Sequence, residues 1–291
     1  MHASVYYNDG LRQAHEARVR AVSGAMLYGR GVFTTLAVYE GRPFLWPRHW
    51  ARLLEHARRA GVETSELEEE QVRAALSELI EANGVSEGRA RVTLLSNREE
   101  SVWKLRGAEG ADRGRGRRTD LLIMTGEAHA VSDDEGLALT VSPYRLNSHS
   151  PLAGVKSLNY LDHLLGWEEA HGRGFQEAVR LNERGEVVSA TMANIFWVEA
   201  GRVHTPALQT GALAGTTRER IIELARELSI PLVEGVYDLS ALGDAHEIFL
   251  TSAGQALRIV TVFDFHQYTV AVGSPALRLR EAFRALRFEA E

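Results

Sequence analysis

The chain has 291 residues, no cysteine, 33 basic and 39 acidic residues, and a formal net charge of -6. With 45% hydrophobic and 25% charged residues it reads as a globular protein long enough to bury a large core. Disulfides, thiolate nucleophiles and thiolate zinc sites are excluded, and the acidic balance argues against nucleic acid as a partner. The start, Met1-His2-Ala3-Ser4, lacks the pattern of a signal peptide, and no apolar run approaches the ~18 residues of a membrane span. A cytoplasmic protein without a membrane partner is expected.

In chain order, Val5-Tyr6-Tyr7 followed by Asn8-Asp9-Gly10 predicts a strand and a turn. Val32 to Tyr39, the turn Glu40-Gly41 and Pro43 to Trp46 predict a hairpin. Pro47 then starts a helix with Trp50, Leu53, Leu54 and Ala57 at helical spacing, and Gly61 ends it. A second helix is predicted over 66–83, with Val72, Leu76, Leu79 and Ile80 on one face. Strands over 91–95 and 121–125 flank a basic, glycine-rich stretch, 106–118, expected to be a solvated loop. The polar run 127–135 is read as a linker between a small N-terminal α/β domain, 1–126, and a larger C-terminal domain, 136–291. Beyond it come a strand over 137–143 and a helix over 156–171, with Leu158, Leu161, Leu165 and Leu164 turned inward. Strands follow over 177–181, 185–189 and 194–198, then a helix over 217–228, a strand over 247–250 and a closing helix over 276–288. Helices and strands mix without a regular βαβ rhythm, so the fold class is α+β in two domains.

Only two of the basic residues, Lys104 and Lys156, are lysine; the other 31 are arginine. Arginine stays protonated, whereas a desolvated lysine can lose its proton and attack a carbonyl. Lys104 lies beside the basic stretch and reads as a surface charge. Lys156 follows the uncharged run Pro151 to Val155, which fits a Schiff-base nucleophile and equally a lysine that snorkels from a helix start. Leu213-Ala214-Gly215-Thr216-Thr217-Arg218 leads into a helix, as an ordinary N-cap or as a phosphate-binding helix start. Thr251-Ser252-Ala253-Gly254 offers a second turn of that kind. A reactive lysine with two such turns is what a pyridoxal phosphate enzyme needs. No histidine pattern suggests a metal, and Ser148-His149-Ser150 lacks the nucleophile elbow of a hydrolase. His149 is read as a loop residue near the site mouth.

Five motifs occur together: YGxGxF at 28–33, HxxRL at 49–53, GxKSLNYL at 154–161, ANIFW at 193–197 and AGTTR at 214–218. In this order the chain resembles the class-IV aminotransferase family, the fold-type IV pyridoxal phosphate enzymes. These include branched-chain and D-amino-acid aminotransferases and 4-amino-4-deoxychorismate lyases. The resemblance implies a two-domain fold like that of D-amino-acid aminotransferase, with pyridoxal 5'-phosphate between the domains, and a homodimer with the site near its interface. It implies that Lys156 is the Schiff-base lysine of the C-terminal domain and moves the substrate's α-proton. Arg52, Thr216, Thr217, Ser252 and Ala253 would hold the phosphate, and Tyr160 would approach the phenolic oxygen. Tyr28, Thr34 and Gly254 would face a small amino substrate.

One departure stands out. The family has a glutamate five residues before the asparagine of the NIF motif, where it keeps the pyridine nitrogen protonated. This chain has Ser189 there, and Glu186, three residues earlier, falls on the other face of an extended strand. The loss weakens carbanion stabilisation and leans the expectation toward a lyase that eliminates pyruvate from aminodeoxychorismate, as does Thr34-Thr35 after Phe33. Amino-acid transamination is the alternative. A cofactor-binding protein with little or no turnover is the alternative of another class.

Overall fold

The computed structural model describes residues 1–98, 117–128 and 136–288. Lys104, most of the basic stretch and residues 129–135 of the expected linker lie outside them. The chain divides into two units. One comprises Met1–Ala128 with Val155–Asn159, the other His129–Gly154 with Tyr160–Glu291. The segment that carries Lys156 thus packs with the first unit, although it lies in the second half of the chain.

The first unit contains β1 (Ser4–Tyr7), β2 (Gly10–Gln13), α1 (Gly24–Tyr28), β3 (Gly31–Tyr39), β4 (Arg42–Pro43), α2 (Trp46–Ala60), α3 (Glu69–Ala82), β5 (Gly88–Ser96) and β6 (Thr119–Glu127). Its six strands form one antiparallel sheet in the order β2-β1-β6-β5-β3-β4. Val32, Leu36 and Val38 alternate along β3 and meet Trp46, Trp50, Leu53 and Ala57 of α2 and Val72, Leu76 and Leu79 of α3 in the core. The expected strand over 43–46 is only two residues long. Trp46 instead opens α2, because Leu45 turns left-handed (φ 54°) and Pro47 suits the first helical turn. Gly61 (φ 67°) closes α2 as expected.

The second unit contains β7 (Leu137–Val141), α4 (Leu161–Gly172), β8 (Glu177–Leu181), β9 (Val187–Ala190), β10 (Asn194–Glu199), β11 (Arg202–Pro206), α5 (Thr216–Glu227), β12 (Leu232–Gly235), α6 (Ser240–Gly243), β13 (Glu247–Ser252), β14 (Ala256–Phe263), β15 (His266–Gln267) and α7 (Pro275–Ala285). Its sheet runs β12-β11-β10-β13-β14-β7-β8-β9, with β15 on β14. The pairs β11–β12, β14–β7 and β7–β8 are parallel, and the other pairs are antiparallel. The mixed α+β architecture agrees with the sequence reading.

Two expectations about the helix after Lys156 change. It starts at Leu161, so Lys156 lies in an extended segment before it. Leu161, Leu164 and Leu165 are exposed, at 61%, 40% and 43%, while Gly166 and Ala170 supply the buried side. Helical periodicity reveals an apolar face but not whether it is buried.

Candidate active site

The position of Lys156 follows from the glycine motif at the start of β3. Leu158 N–H donates to the Gly31 carbonyl (2.9 Å) and Phe33 N–H to the Lys156 carbonyl (3.0 Å), around a bridge between Val32 and Ser157. A side chain at residue 31 would come within 2.5 Å of Leu158 and 2.7 Å of the Leu94 carbonyl, so only glycine allows this approach. Asn159 Nδ2 adds a bond to the Gly29 carbonyl (3.1 Å). The two motifs, far apart in the chain, are therefore one device that hangs the lysine segment on β3.

The Lys156 amine lies 4.7 Å from the centre of the Phe33 ring, and the Arg91 guanidinium lies 3.6 Å from the same centre. Phe33 pairs with Thr93 and Thr35 with Arg91, so alternation puts Phe33 and Arg91 on one face of the sheet. Burial, and then the charges of Arg52 and Arg91, push the Lys156 amine down to about 7.

His49, Arg52 and His56 stand at i, i+3 and i+7 of α2 and share a side of the helix. Arg52 Nη2 donates to the Thr34 hydroxyl (2.9 Å), which also pairs with His49 Nδ1 (2.7 Å). Thr34 is fully buried, so its hydroxyl orients Arg52. Lys156 N–H donates to His56 Nδ1 (3.2 Å), which leaves the proton of a neutral His56 on Nε2. Burial, then Arg52, Arg59 and Lys156, lower His56 to about 4; burial, then Arg52 and Lys156, hold His49 well below its ordinary value. Both rings are neutral at physiological pH. Tyr28, at the end of α1, is 40% exposed.

In the second unit, Asn194 of the NIF motif donates from Nδ2 to the Leu213 carbonyl (2.8 Å), and its side chain fills the space beside Gly215. That bond fixes the turn into α5, whose N-cap, Gly215, has no side chain to cap it. Thr216 and Thr217 open the helix and are buried. Arg218 turns inward, to the Pro206 carbonyl (3.0 Å) and Glu234 (2.5 Å). Ser252 ends β13, and Ala253-Gly254-Gln255 turn into β14. Tyr160 stacks on His163, with centroids 4.2 Å apart.

Ser189, on β9, is buried and pairs in register with Arg180 on β8. Glu186 is engaged with Arg184 (2.7 Å) and Asn182. Glu177 accepts from the Thr191 and Met192 N–H groups, and burial pushes it up to about 7. His149 and Ser148 share Glu183 on the surface, with His149 offering the same Nδ1 to both, so they form no catalytic relay. Arg91, His56 and Arg180 were not singled out from the sequence. His56 was readable from its spacing with His49 and Arg52, and Arg180 as a charge among Ala178, Val179 and Leu181.

A family model described as amino-transferase class IV matches residues 31–263. The chain is similar to a Methanocaldococcus jannaschii protein provisionally named a branched-chain-amino-acid aminotransferase, with 32% identity over 97% of this chain and 96% of the relative. It is 29% identical to the aminodeoxychorismate lyase of Bacillus subtilis, over 86% of this chain and 83% of that one. The structure of a branched-chain aminotransferase from Thermoproteus uzoniensis with norvaline matches with a TM-score of 0.86 at 26% identity, covering 99% of this chain and 95% of that one. The residues present fit the family's cofactor. An amine lowered to about 7 suits an aldehyde, a helix start whose N-cap is glycine suits a phosphate, and buried guanidinium N–H groups of Arg180 meet no partner among the described residues. The chain belongs to the class-IV aminotransferases and is a pyridoxal-phosphate-dependent enzyme.

Proposed function

We propose that the protein catalyses elimination from a small amino substrate, of the aminodeoxychorismate lyase type, releasing pyruvate and leaving 4-aminobenzoate. The observation that carries this is Ser189: the nearby carboxylates Glu177 and Glu186 are engaged elsewhere. When bound, pyridoxal phosphate withdraws electrons from the substrate carbon that loses its proton. A ring without a carboxylate partner withdraws less, which suits a reaction whose product becomes aromatic and whose leaving group carries electrons away. Lys156 would hold the aldehyde and then, as the neutral amine favoured by Arg52 and Arg91, move the proton. Arg52, oriented by Thr34, would take the phosphate with the N–H and hydroxyl groups of Thr216 and Thr217, and Ser252 and Ala253 would complete the cradle. Tyr160 would face the phenolic oxygen, and Tyr28 and Gly254 the substrate. Transamination of branched-chain amino acids is the second reading, favoured by the near full-length likeness to the M. jannaschii protein. The exposed leucines of α4 support a homodimer that covers them.

The test offers holoenzyme aminodeoxychorismate and follows pyruvate by a coupled dehydrogenase and 4-aminobenzoate by fluorescence. A parallel panel offers branched-chain amino acids with an oxo-acid acceptor. Faster release of pyruvate is expected. Transamination that outpaces it would overturn the lyase reading, and a monomer in analytical ultracentrifugation would overturn the dimer.

A further inference from the structure

Val179, Leu181, Val187 and Ala190 of β8 and β9 belong to the core of the second unit. Ala190 pairs with Val179 and Ser189 with Arg180, and the register shifts before the Leu181–Val187 pair, so Val187 keeps the core side although it lies two residues from Ser189. Side chains alternate along a strand, and directly opposed residues share a face. Arg180 and Ser189 therefore stand together on the face turned away from that core. Arg180 is only 2% exposed. Its Nε and Nη1 are buried and meet no hydrogen-bond partner among the described residues. Burial disfavours its charge, while Asp162 and Tyr160 favour it from nearby without hydrogen-bonding to it. A buried guanidinium with idle donors is unfavourable unless something completes it. A guanidinium has donors only and does not deprotonate, so what completes it must be an acceptor.

We propose that Arg180 is the partner of the cofactor's ring nitrogen, donating a hydrogen bond to the unprotonated pyridine nitrogen beside Ser189. The assignment rests on pyridoxal phosphate binding and on Ser189 occupying the position that faces the ring nitrogen; it does not depend on elimination or transamination. It inverts the usual electrostatics. A carboxylate accepts from a pyridinium and holds its proton, whereas a fixed cation keeps the nitrogen bare and makes the ring a weaker electron acceptor. Tyr160, the residue matched to the phenolic oxygen, lies close enough to Arg180 to favour its charge.

The experiment compares the affinity of the apoprotein for pyridoxal phosphate and for its 1-deaza analogue, in which a C–H replaces the ring nitrogen. A hydrogen bond from a charged donor predicts a preference of about tenfold or more for pyridoxal phosphate. Arg180→Leu should abolish the preference and Arg180→Lys retain part of it. The ¹⁵N resonance of labelled cofactor in the wild-type protein should be that of an unprotonated, hydrogen-bonded pyridine. Equal affinities in the wild type, an undiminished preference in Arg180→Leu, or a pyridinium resonance would each overturn the assignment. If Arg180→Leu fails to fold, the wild-type affinities and the resonance decide alone. Uptake of pyridoxal phosphate without a preference for the nitrogen sinks only Arg180, whereas uptake of neither compound sinks the cofactor reading with it.

Discussion

The lowered pKa of Lys156 is a claim about charge, and Arg91 is where to test it. The amine and the Arg91 guanidinium lie 4.7 and 3.6 Å from the centre of one ring, so they can be no more than about 8 Å apart. Two like charges at that distance repel by roughly 1–2 kcal/mol at an effective dielectric of 20–40, about one pKa unit. Arg91→Leu should therefore raise the amine from about 7 to about 8. At pH 7.5 the neutral fraction falls from roughly three-quarters to roughly one-quarter, and the rate at which apoprotein captures pyridoxal phosphate should fall about threefold. Above pH 10 the two proteins should converge. Stopped-flow absorbance across pH 6 to 10.5 gives both midpoints, and an unperturbed lysine would show one near 10.4. His56, already neutral above about 4, adds no midpoint in this range. Glu177 titrates near 7, but Arg91 is not among the groups that act on it. A wild-type midpoint near 10, or one that Arg91→Leu leaves in place, would refute the reasoning.

Other expectations are sharper in one measurement each. Arg52→Ala should weaken pyridoxal phosphate binding by roughly 1.5–3 kcal/mol, the value of a charge-assisted hydrogen bond, and unaltered affinity in a cofactor titration would remove Arg52 from the phosphate site. Gly31→Ala should cost about 1–3 kcal/mol through contact with Leu158 and the Leu94 carbonyl, read by chemical denaturation together with faster hydrogen exchange at Leu158 N–H. Glu177, ordinarily near 4.5, is held near 7 in the folded chain. The folded protein keeps its proton longer, so this group's contribution is full below 4.5 and lost as pH rises through 7, roughly 3 kcal/mol in all. Glu177→Gln should flatten the pH dependence of the denaturation midpoint between 5 and 7.5, and an unchanged slope would deny the shift.

The motifs were legible one at a time, and their pairing was not. A glycine bracket before a strand is a common bend, and a lysine after small residues often only snorkels. Each gains meaning when Gly31 lets residues 155–159 lie against β3, a contact between positions more than a hundred residues apart. Asn194 and the turn before Thr216 make a second such pair. Local periodicity carries no information about either. It also falls silent on β8, where all five residues are buried, so Arg180 gives no alternation to read. The signal there is chemical, an arginine set among Ala178, Val179 and Leu181. The leucines of α4 show the opposite limit, since an apolar face is visible in sequence but its exposure is not.

The arginine bias acquires a physical reason at this site. A lysine at 52 or 91 would itself titrate as its neighbours lost protons, so the field on Lys156 would collapse in the pH range where it is needed. It would also place a second amine within reach of an aldehyde. A guanidinium does neither: its charge is fixed and its nitrogens are poor nucleophiles. Arg52 and Arg91 can therefore lower the pKa of Lys156 without competing with it. A site built on one titratable amine requires that the cations around it be unable to imitate it.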